Sequence, residues 1–238
     1  MKKVMIFAAH DDDLILGVGG KVLRCRYQGN KVQVCLFSNG ETSHQIVLGI
    51  NENPSPDEVK MMRREEFLKA IEFLGLGPGC TFFFDFPTRQ IEGLLEYTKA
   101  KVMMALQEYQ PDEVYFHFPD AHTDHKGVSQ AVLSALQDMP EQQQRPSVFQ
   151  FFIWTKDLAQ GRADVDPNSA PEILENAEMF SLAENELSLK RRALYEMRSQ
   201  IQIWPYSNWQ LQTKPILDKN FIEYFLRGEE IFLPVSLD

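Results

Sequence analysis

Short apolar segments rich in β-branched and aromatic residues alternate along the chain with longer segments in which apolar residues recur at helical spacings. A short, nearly continuous apolar run is typical of a strand buried on both faces, and the longer pattern is typical of a helix with one buried face. The predicted strands are Val4–Ala9, Val32–Phe37, Thr81–Phe86, Val114–Phe118 and Val148–Trp154. The predicted helices are Leu14–Gln28, Pro56–Leu74, Gln90–Tyr109 and His125–Asp138. This alternation predicts an α/β fold with a doubly wound, mostly parallel, Rossmann-like sheet.

The pattern loosens beyond Gln142. The later segments are a polar stretch at Gly161–Pro171, a helix around Ala183–Gln200 and a final segment at Phe221–Pro234. We therefore expect a Rossmann-like catalytic core over residues 1–156 and a C-terminal extension over residues 157–238. The extension is expected to complete the same domain and the walls of a substrate pocket. The methionine pairs Met61–Met62 and Met103–Met104 are interpreted as core residues.

Composition excludes some classes of partner. The 238 residues carry 24 Lys and Arg against 34 Asp and Glu, a formal charge of −10 that repels nucleic acids and anionic membranes. The apolar start Val4–Ala9 is too short for a signal peptide, and no later run approaches the ~20 apolar residues of a membrane span. A soluble, cytoplasmic protein is expected. Three cysteines without a CxxC pair predict neither disulfides nor a thiolate metal site.

Residues that could carry chemistry are concentrated in two stretches. Four of the five histidines lie in His10–Asp13, which follows the first predicted strand, and in His117–His125, which ends the fourth strand and follows it. In a doubly wound sheet these two strands are neighbours at the switch point, where ligands bind beyond the carboxyl ends of the strands. The two stretches are therefore predicted to face one crevice. An acidic run after a strand is, however, also common as a solvated helix N-terminus.

The spacing within these stretches predicts a metal site. His10 and Asp13, three residues apart at a helix start, share a face and can converge on one ion, and His125 could complete the set. Two imidazoles and one carboxylate favour Zn²⁺ and leave a fourth position for a water molecule, the pattern of a catalytic zinc site. Such a water ionises with a pKa near ~7.

The remaining polar side chains of the two stretches are candidates for supporting roles. Asp12 would be free to act as the general base on the water, and His122 could stabilise the oxyanion or protonate the leaving amine. Asp11 and Asp124 are candidates to orient the ligating imidazoles through hydrogen bonds.

The two stretches also resemble the signatures of a known family. Ala9–Asp13 with Leu16–Gly20 resembles the AHPDDE-x-LG-x-GG signature of the LmbE-like, GlcNAc-phosphatidylinositol de-N-acetylase family, and His122–His125 resembles its HxDH signature. The resemblance continues at Ser38–Glu41, Arg63–Glu66, Asp85–Pro87, Lys190 and Ser199–Gln200.

This resemblance implies a zinc-dependent hydrolase that removes an acetyl group from an N-acetylated amino sugar or a related small amide. The implied zinc ligands are His10, Asp13 and His125. The implied general base is Asp12, with His122 assisting the tetrahedral intermediate. The resemblance further implies that Arg63 and Asp85 hold sugar hydroxyls.

Two positions depart from the family signature. Asp11 stands where the family has proline, and Leu14 stands where it has glutamate. We expect Leu14 to face the sheet. Asp11 is expected at the rim of the site, where its charge would raise the pKa of Asp12.

Two other classes of protein fit part of the pattern. Asp11–Asp13, Asp85 and Lys156 fit the outline of a phosphoacceptor receiver domain, which would bind Mg²⁺ through oxygen ligands only, but such a domain would leave the histidines without a role. A carbohydrate-binding relative without catalysis would bind sugars without turnover.

Neither the exact substrate nor the oligomeric state follows from the sequence, and a homo-oligomer is compatible with it. The loops Thr42–Pro56 and Asp157–Pro171 are expected to select the substrate, and Trp204, Tyr206 and Trp209 could form a sugar-stacking wall or a packed loop.

Overall fold

The structure, a computed structural model, describes residues 1–140, 144–154, 173, 175–203 and 212–237. Lys156, the loop Asp157–Pro171 and the aromatic residues Trp204, Tyr206 and Trp209 lie outside the described residues, so their predicted roles stay predictions. No helix within the described residues is both long enough and apolar enough to cross a membrane.

The described strands form one sheet of seven strands in the order β3-β2-β1-β4-β5-β7-β6. The strands are β1 (Lys3–Ala8), β2 (Lys31–Ser38), β3 (Thr81–Phe86), β4 (Glu113–His117), β5 (Ser147–Phe151), β6 (Glu178–Ser181) and β7 (Glu229–Pro234). The first five are parallel, whereas β7 runs antiparallel to β5 and to β6. This order confirms the predicted doubly wound, mostly parallel α/β fold, with the switch point between β1 and β4.

The described helices follow the strands in the predicted alternation. They are α1 (Asp11–Tyr27), α2 (Ser43–Leu48), α3 (Pro56–Phe73), α4 (Leu95–Tyr109), α5 (Thr123–Gln137), α6 (Glu184–Glu196), α7 (Arg198–Ile201) and α8 (Lys219–Phe225). Short 3₁₀ turns at Pro78–Cys80 and Glu92–Leu94 precede β3 and α4. The final predicted segment divides into α8 and β7, and both elements pack against the same sheet or its helices.

The sheet is covered on both faces, which explains the continuous apolar runs of its central strands. Along β1, Ile6 belongs to the cluster packed beneath α1, α3 and α6, whereas its neighbour Phe7 belongs to the cluster beneath α4 and α5. The interpretation of the methionine pairs is wrong in part. Met61 and Met104 are 65% and 63% exposed, because α3 and α4 each bury a single face.

The C-terminal elements are joined to α1 through a buried ion pair. The ammonium group of Lys190 in α6 donates to the backbone oxygen of Leu16 (2.8 Å) and to Oε1 of Glu230 in β7 (2.7 Å). Glu230 in turn accepts a hydrogen bond from the backbone N–H of Gly20 (2.6 Å). Gly17 allows α1 to lie directly on β5, because a Cβ atom at this position would overlap the ring of Phe151. The helix that begins with the acidic triplet is thereby fixed against the sheet.

Candidate metal centre and active site

The acidic triplet occupies the first turn of α1, directly beyond the carboxyl end of β1. His10 precedes the helix in an extended conformation, and its backbone N–H donates to Oδ2 of Asp13 (2.8 Å). Carboxylates are favoured at a helix N-terminus, where unpaired N–H groups and the helix dipole present positive charge. All three aspartates are nevertheless buried, with exposed fractions of 3 to 7%. Their charges must therefore be balanced by other side chains of the protein.

The second stretch reaches the same place from β4. His122 is the N-terminal cap of α5, and its Nδ1 accepts a hydrogen bond from the backbone N–H of Asp124 (3.2 Å). The ring centroid of His10 lies 4.8 Å from that of His122 and 5.4 Å from that of His125. The structure thus brings the two stretches into one cluster across the switch point.

Asp13 lies at the centre of this cluster. Its Oδ2 atom is 3.0 Å from Nδ1 of His10, 3.2 Å from Nε2 of His125 and 3.3 Å from Nε2 of His117. Burial alone would lower the pKa of both His10 and His125, but the carboxylate of Asp13 outweighs it. The pKa of His10 rises to about 10 and that of His125 to about 9. The same histidines hold the pKa of Asp13 well below its usual range despite its burial.

The residues of the cluster fit a zinc ion. Within the described chain, three overlapping sets of side chains bring their ligand atoms within 4.8 Å of one another: His10, His122 and His125; Asp13, His117 and His125; and His10, Asp12 and Asp13. Each set contains two members of the predicted ligand set His10, Asp13 and His125. Nε2 of His125 is buried and makes no well-aligned hydrogen bond within the described part of the protein, although Oδ2 of Asp13 lies 3.2 Å away. Two imidazoles and a carboxylate are a donor set typical of catalytic zinc.

His125 and His10 are each oriented by a carboxylate on the side away from Asp13. Nδ1 of His125 lies 2.8 Å from Oδ2 of Asp120, and Nε2 of His10 lies 3.2 Å from Oδ2 of Asp124. Such carboxylate contacts fix ring orientation in metal sites. Asp124 contacts one of the predicted ligands, and its supporting role stays a prediction. Asp120 was missed by the sequence analysis, although it lies in the same stretch after β4.

His117 is close to Asp13 but is held by the backbone. Its Nε2 atom accepts a hydrogen bond from the backbone N–H of Ala9 (2.9 Å), and its ring stacks on His125 with centroids 4.0 Å apart. Burial is the largest influence on this imidazole and lowers its pKa to about 4. A neutral ring with its lone pair already engaged suits a structural role better than a ligand role.

Asp11 does not lie at an exposed rim and pairs with a guanidinium instead of an imidazole, so both of these expectations are wrong, although its charge does contribute to the raised pKa of Asp12. The side chain is buried and forms a two-pronged ion pair with Arg63 of α3, in which Nε lies 2.9 Å from Oδ2 and Nη2 contacts Oδ1. Nη2 also lies 3.5 Å from Oδ1 of Asp12. Gly40 makes room for the guanidinium, since a Cβ atom there would lie 2.6 Å from Nε of Arg63. Arg63 is therefore already engaged by protein carboxylates, and its predicted contact with sugar hydroxyls stays a prediction.

Asp12 lines a cavity next to the histidine cluster. Burial is the main cause that raises its pKa to about 6, and the guanidinium of Arg63 opposes this rise. The cavity has a volume of about 200 Å³ and is also lined by His10, Asp13 and His122. Its mouth carries apolar side chains, among them Ile46 and Val47 of α2.

Asp85 lies away from this cavity lining. Its side chain is 38% exposed and pairs with Nη2 of Arg64 (2.6 Å), while Nζ of Lys60 lies 3.9 Å away. The backbone of Asp85 is left-handed, with φ of 56°. The predicted contact of Asp85 with sugar hydroxyls stays a prediction.

Solved structures with the same fold are found across most of the chain. An N,N'-diacetylchitobiose deacetylase from Pyrococcus horikoshii is 17% identical, with a TM-score of 0.69 over 99% of this chain and 84% of that chain. A deacetylase of the teicoplanin biosynthetic pathway is 16% identical, with a TM-score of 0.71 over 98% of both chains. The 4-carboxy-2-hydroxymuconate hydratase from Pseudomonas putida KT2440 is 20% identical, with a TM-score of 0.66 over 95% of this chain and 84% of that chain.

At these identities the structural similarity shows a shared fold, and the hydratase indicates that the fold serves more than one chemistry. Comparison with curated protein sequences gives no match. The sequence profile of the GlcNAc-PI de-N-acetylase (PIG-L) family matches residues 5–136. This segment contains both the acidic triplet after β1 and the histidine stretch after β4. Because the match covers more than half of the 238 residues, the chain belongs to the GlcNAc-PI de-N-acetylase (PIG-L) family.

Proposed function

We propose that this protein is a zinc-dependent hydrolase that removes the acetyl group from an N-acetylated amino sugar of the N-acetylglucosamine type, or from a related small amide. The observation that carries the proposal is the position of Asp12, a buried carboxylate that shares one cavity with the cluster of His10 and Asp13. Membership of the GlcNAc-PI de-N-acetylase family supports amide hydrolysis as the reaction.

The proposed zinc ligands are His10, Asp13 and His125. These three residues would hold a zinc ion with one coordination position open, and the bound ion would acidify water and polarise an amide carbonyl. Asp120 and Asp124 support this role, because they fix the orientation of the ligating imidazoles. Asp13 supports it as well, because it contacts both imidazoles.

Asp12 is proposed as the general base. A pKa of about 6 leaves its carboxylate ionised at neutral pH while making it a stronger base than an ordinary aspartate. It would accept the proton of the attacking water and later deliver it to the leaving amine nitrogen. Arg63, which pairs with Asp11 and also lines the cavity, lies 3.5 Å from Oδ1 of this carboxylate.

His122 is proposed to stabilise the oxyanion of the tetrahedral intermediate. Burial is the main cause that lowers its pKa to about 3, so the ring is neutral at working pH. Its Nδ1 accepts the backbone N–H of Asp124, and the single proton of the neutral ring is therefore on Nε2. That N–H can donate to a developing negative charge without a prior protonation step.

The proposed substrate class is supported by the family and by two of its structural neighbours, one of which is a diacetylchitobiose deacetylase and the other a deacetylase of teicoplanin biosynthesis. A receiver-like function has less support. Asp85 pairs with Arg64 and Lys60 instead of joining the acidic triplet, and a receiver leaves the imidazole cluster unexplained. A carbohydrate-binding relative without catalysis would bind the sugar but release no amine, whereas the proposed hydrolase releases amine.

A deacetylation screen tests the proposal. Zinc-loaded protein is incubated with N-acetylglucosamine, N,N'-diacetylchitobiose and alkyl N-acetylglucosaminides, and the released amine is measured. The Asp12→Asn variant, loaded with zinc in the same way, serves as the control. Amine release that depends on Asp12 is the expected result. Sugar binding without amine release from any of these compounds would identify a binding protein instead of a hydrolase.

A further inference from the structure

Gln200 in α7 borders the cavity that contains Asp12, and its side chain carries a buried acceptor without a partner in the described part of the protein. The residue is fully buried and lines this cavity. Its side-chain oxygen Oε1 has no hydrogen-bond partner among the residues that the structure describes. A buried amide carbonyl without a partner is unfavourable, and native proteins rarely keep one without a reason.

The orientation of the Gln200 amide is fixed by a buried chain of hydrogen bonds that begins at Glu66. The carboxylate of Glu66 accepts the backbone N–H of Ser199 (2.8 Å) and its hydroxyl proton (2.6 Å). When Glu66 is ionised, its carboxylate takes the hydroxyl proton of Ser199, so Oγ of Ser199 can only accept from Gln200, whose Nε2 lies 2.8 Å away. The nitrogen therefore occupies the Ser199 side of the amide, and the oxygen is the atom left without a partner.

The backbone around Gln200 is also held on both sides. Its N–H donates to the backbone oxygen of Met197 (3.0 Å), and its own backbone oxygen accepts from the N–H of Leu217 (2.8 Å). The acceptor is thus carried by a segment tied to α6 and to the chain that precedes α8. A preorganised acceptor of this kind is what a binding site needs in order to discriminate between ligands.

We propose that Gln200 is a specificity-determining residue whose side-chain carbonyl accepts a hydrogen bond from a hydroxyl or amide N–H of the substrate. This inference rests on the proposed function, because it assigns the same cavity to an N-acetylated sugar. A site built to bond a donor discriminates against an analogue that lacks it, since the buried carbonyl is then left unpaired. Gln200 therefore favours hydroxyl-bearing secondary amides over esters and over amides without further donor groups.

The test measures sugar binding to zinc-loaded protein in the Asp12→Asn background, so that the ligand is not consumed. The dissociation constant of N-acetylglucosamine is determined by calorimetry, together with those of its monodeoxy analogues and of the analogue with an O-acetyl ester in place of the amide. Each ligand is measured with and without the additional substitution Gln200→Leu. The expected result is a loss of roughly 5- to 100-fold in affinity for N-acetylglucosamine on Gln200→Leu. One analogue will lack the hydroxyl or amide N–H that Gln200 accepts. For that analogue, Gln200→Leu should not change the dissociation constant.

Gln150 provides a matched control for the substitution. It is a second buried glutamine, and its Nε2 donates to the hydroxyl of Ser129 (3.3 Å), but it lies in β5 and does not line the cavity. Gln150→Leu should leave the affinity for N-acetylglucosamine unchanged. A crystal structure of the sugar complex of the Asp12→Asn variant needs no change at Gln200 and should place a sugar hydroxyl or amide nitrogen within hydrogen-bond distance of Oε1.

Several outcomes overturn the inference. These are equal affinity of N-acetylglucosamine with and without Gln200→Leu, a uniform loss across all analogues, no measurable binding of the sugar, and a complex in which no donor contacts Oε1. The proposed function fails separately. If the sugar binds through Gln200 but the wild-type protein releases no amine, the inference stands and the hydrolase proposal does not.

Discussion

Asp11 and Arg63 form a buried ion pair that joins the first turn of α1 to α3. Nε of Arg63 lies 2.9 Å from Oδ2 of Asp11, and both side chains are almost inaccessible to solvent. The same guanidinium lies 3.5 Å from Oδ1 of Asp12. The aspartate that replaces the family's proline therefore has a specific partner, which lies beside the proposed general base.

Replacing Asp11 should destabilise the protein, even by the family residue proline. Proline is tolerated by the backbone in the first turn of a helix, but it removes the main partner of a buried guanidinium. Breaking a buried ion pair costs about 3 to 5 kcal/mol, and Asp12 will offset part of this for Arg63. Urea unfolding of Asp11→Pro and Asp11→Asn measures the loss. The exposed pair of Asp85 provides the control, since Asp85→Asn should change stability by less than about 1 kcal/mol. Wild-type stability of both Asp11 variants would show that the pair contributes nothing.

Restoring the family glutamate at position 14 should also be unfavourable. Leu14 is fully buried in the apolar cluster beneath α1 and α3, which includes Val34 and Phe67. A carboxyl group placed there without a partner costs several kcal/mol or stays protonated. Leu14→Glu should therefore lower the free energy of unfolding far more than the volume-conserving Leu14→Met, which should cost less than about 1.5 kcal/mol. Equal losses in the two variants would place Leu14 outside the core.

The sequence predicted the central fold because the central parallel strands β1, β2 and β4 are buried on both faces, which produces continuous apolar runs. The edge strand β6 was not predicted, since Glu178–Ser181 is short and its residues are largely exposed. The division of Phe221–Pro234 into α8 and β7 was likewise missed. The turn at Gly228, with φ of 89°, is the local feature that marks this division.

For the candidate site, the two stretches were predictable because each follows a strand at the switch point. The ion pair of Asp11 with Arg63 could not be predicted, and neither could the unpaired side-chain carbonyl of Gln200. Both depend on where α3 and α7 lie relative to α1, and no local pattern encodes that distance. Asp120 could have been found, since it is a carboxylate between β4 and the HxDH residues, but its contact with His125 depends on a turn that the sequence does not specify.

The purified protein should bind about one Zn²⁺ per chain, since three nitrogen and oxygen ligands with an open position are the catalytic zinc pattern. His10→Ala, Asp13→Ala and His125→Ala should each lose most of the metal. The zinc content is measured by elemental mass spectrometry after dialysis. Asp85→Ala removes a carboxylate outside the cluster and should retain it. Full zinc content in all three ligand variants would refute the ligand assignment.

Asp12→Asn should fold and retain zinc but lose roughly 10² to 10⁴ in turnover, the range expected when a positioned general base is removed. The amide preserves the shape of the side chain and removes its basicity. Turnover is measured with the best substrate of the deacetylation screen, and zinc content is measured on the same sample. Activity close to that of the wild type would move the base to another residue.

Glu66 should give stability a distinct dependence on pH. Burial raises its pKa from 4.5 to about 7, although the hydrogen bonds from Ser199 act in the opposite direction. In the unfolded chain the carboxyl group loses its proton near pH 4.5, whereas in the folded protein it keeps the proton up to about pH 7. The folded state thus binds more protons within this window, and the contribution of Glu66 to stability falls as pH rises through it.

The Glu66→Gln variant isolates this effect, because residue 66 is then uncharged at every pH. The variant also loses one carboxylate oxygen that accepts from Ser199, and this loss lowers the free energy of unfolding by the same amount at each pH. Free energies of unfolding are measured for both proteins at about pH 5 and about pH 8, and the difference between the proteins is compared. Relative to the variant, the wild type should lose about 2 kcal/mol between the two conditions. Other titrating groups cancel in this comparison, since both proteins share them. Parallel stability curves would mean that Glu66 is ionised at pH 5 in the folded state, and that burial does not hold its proton.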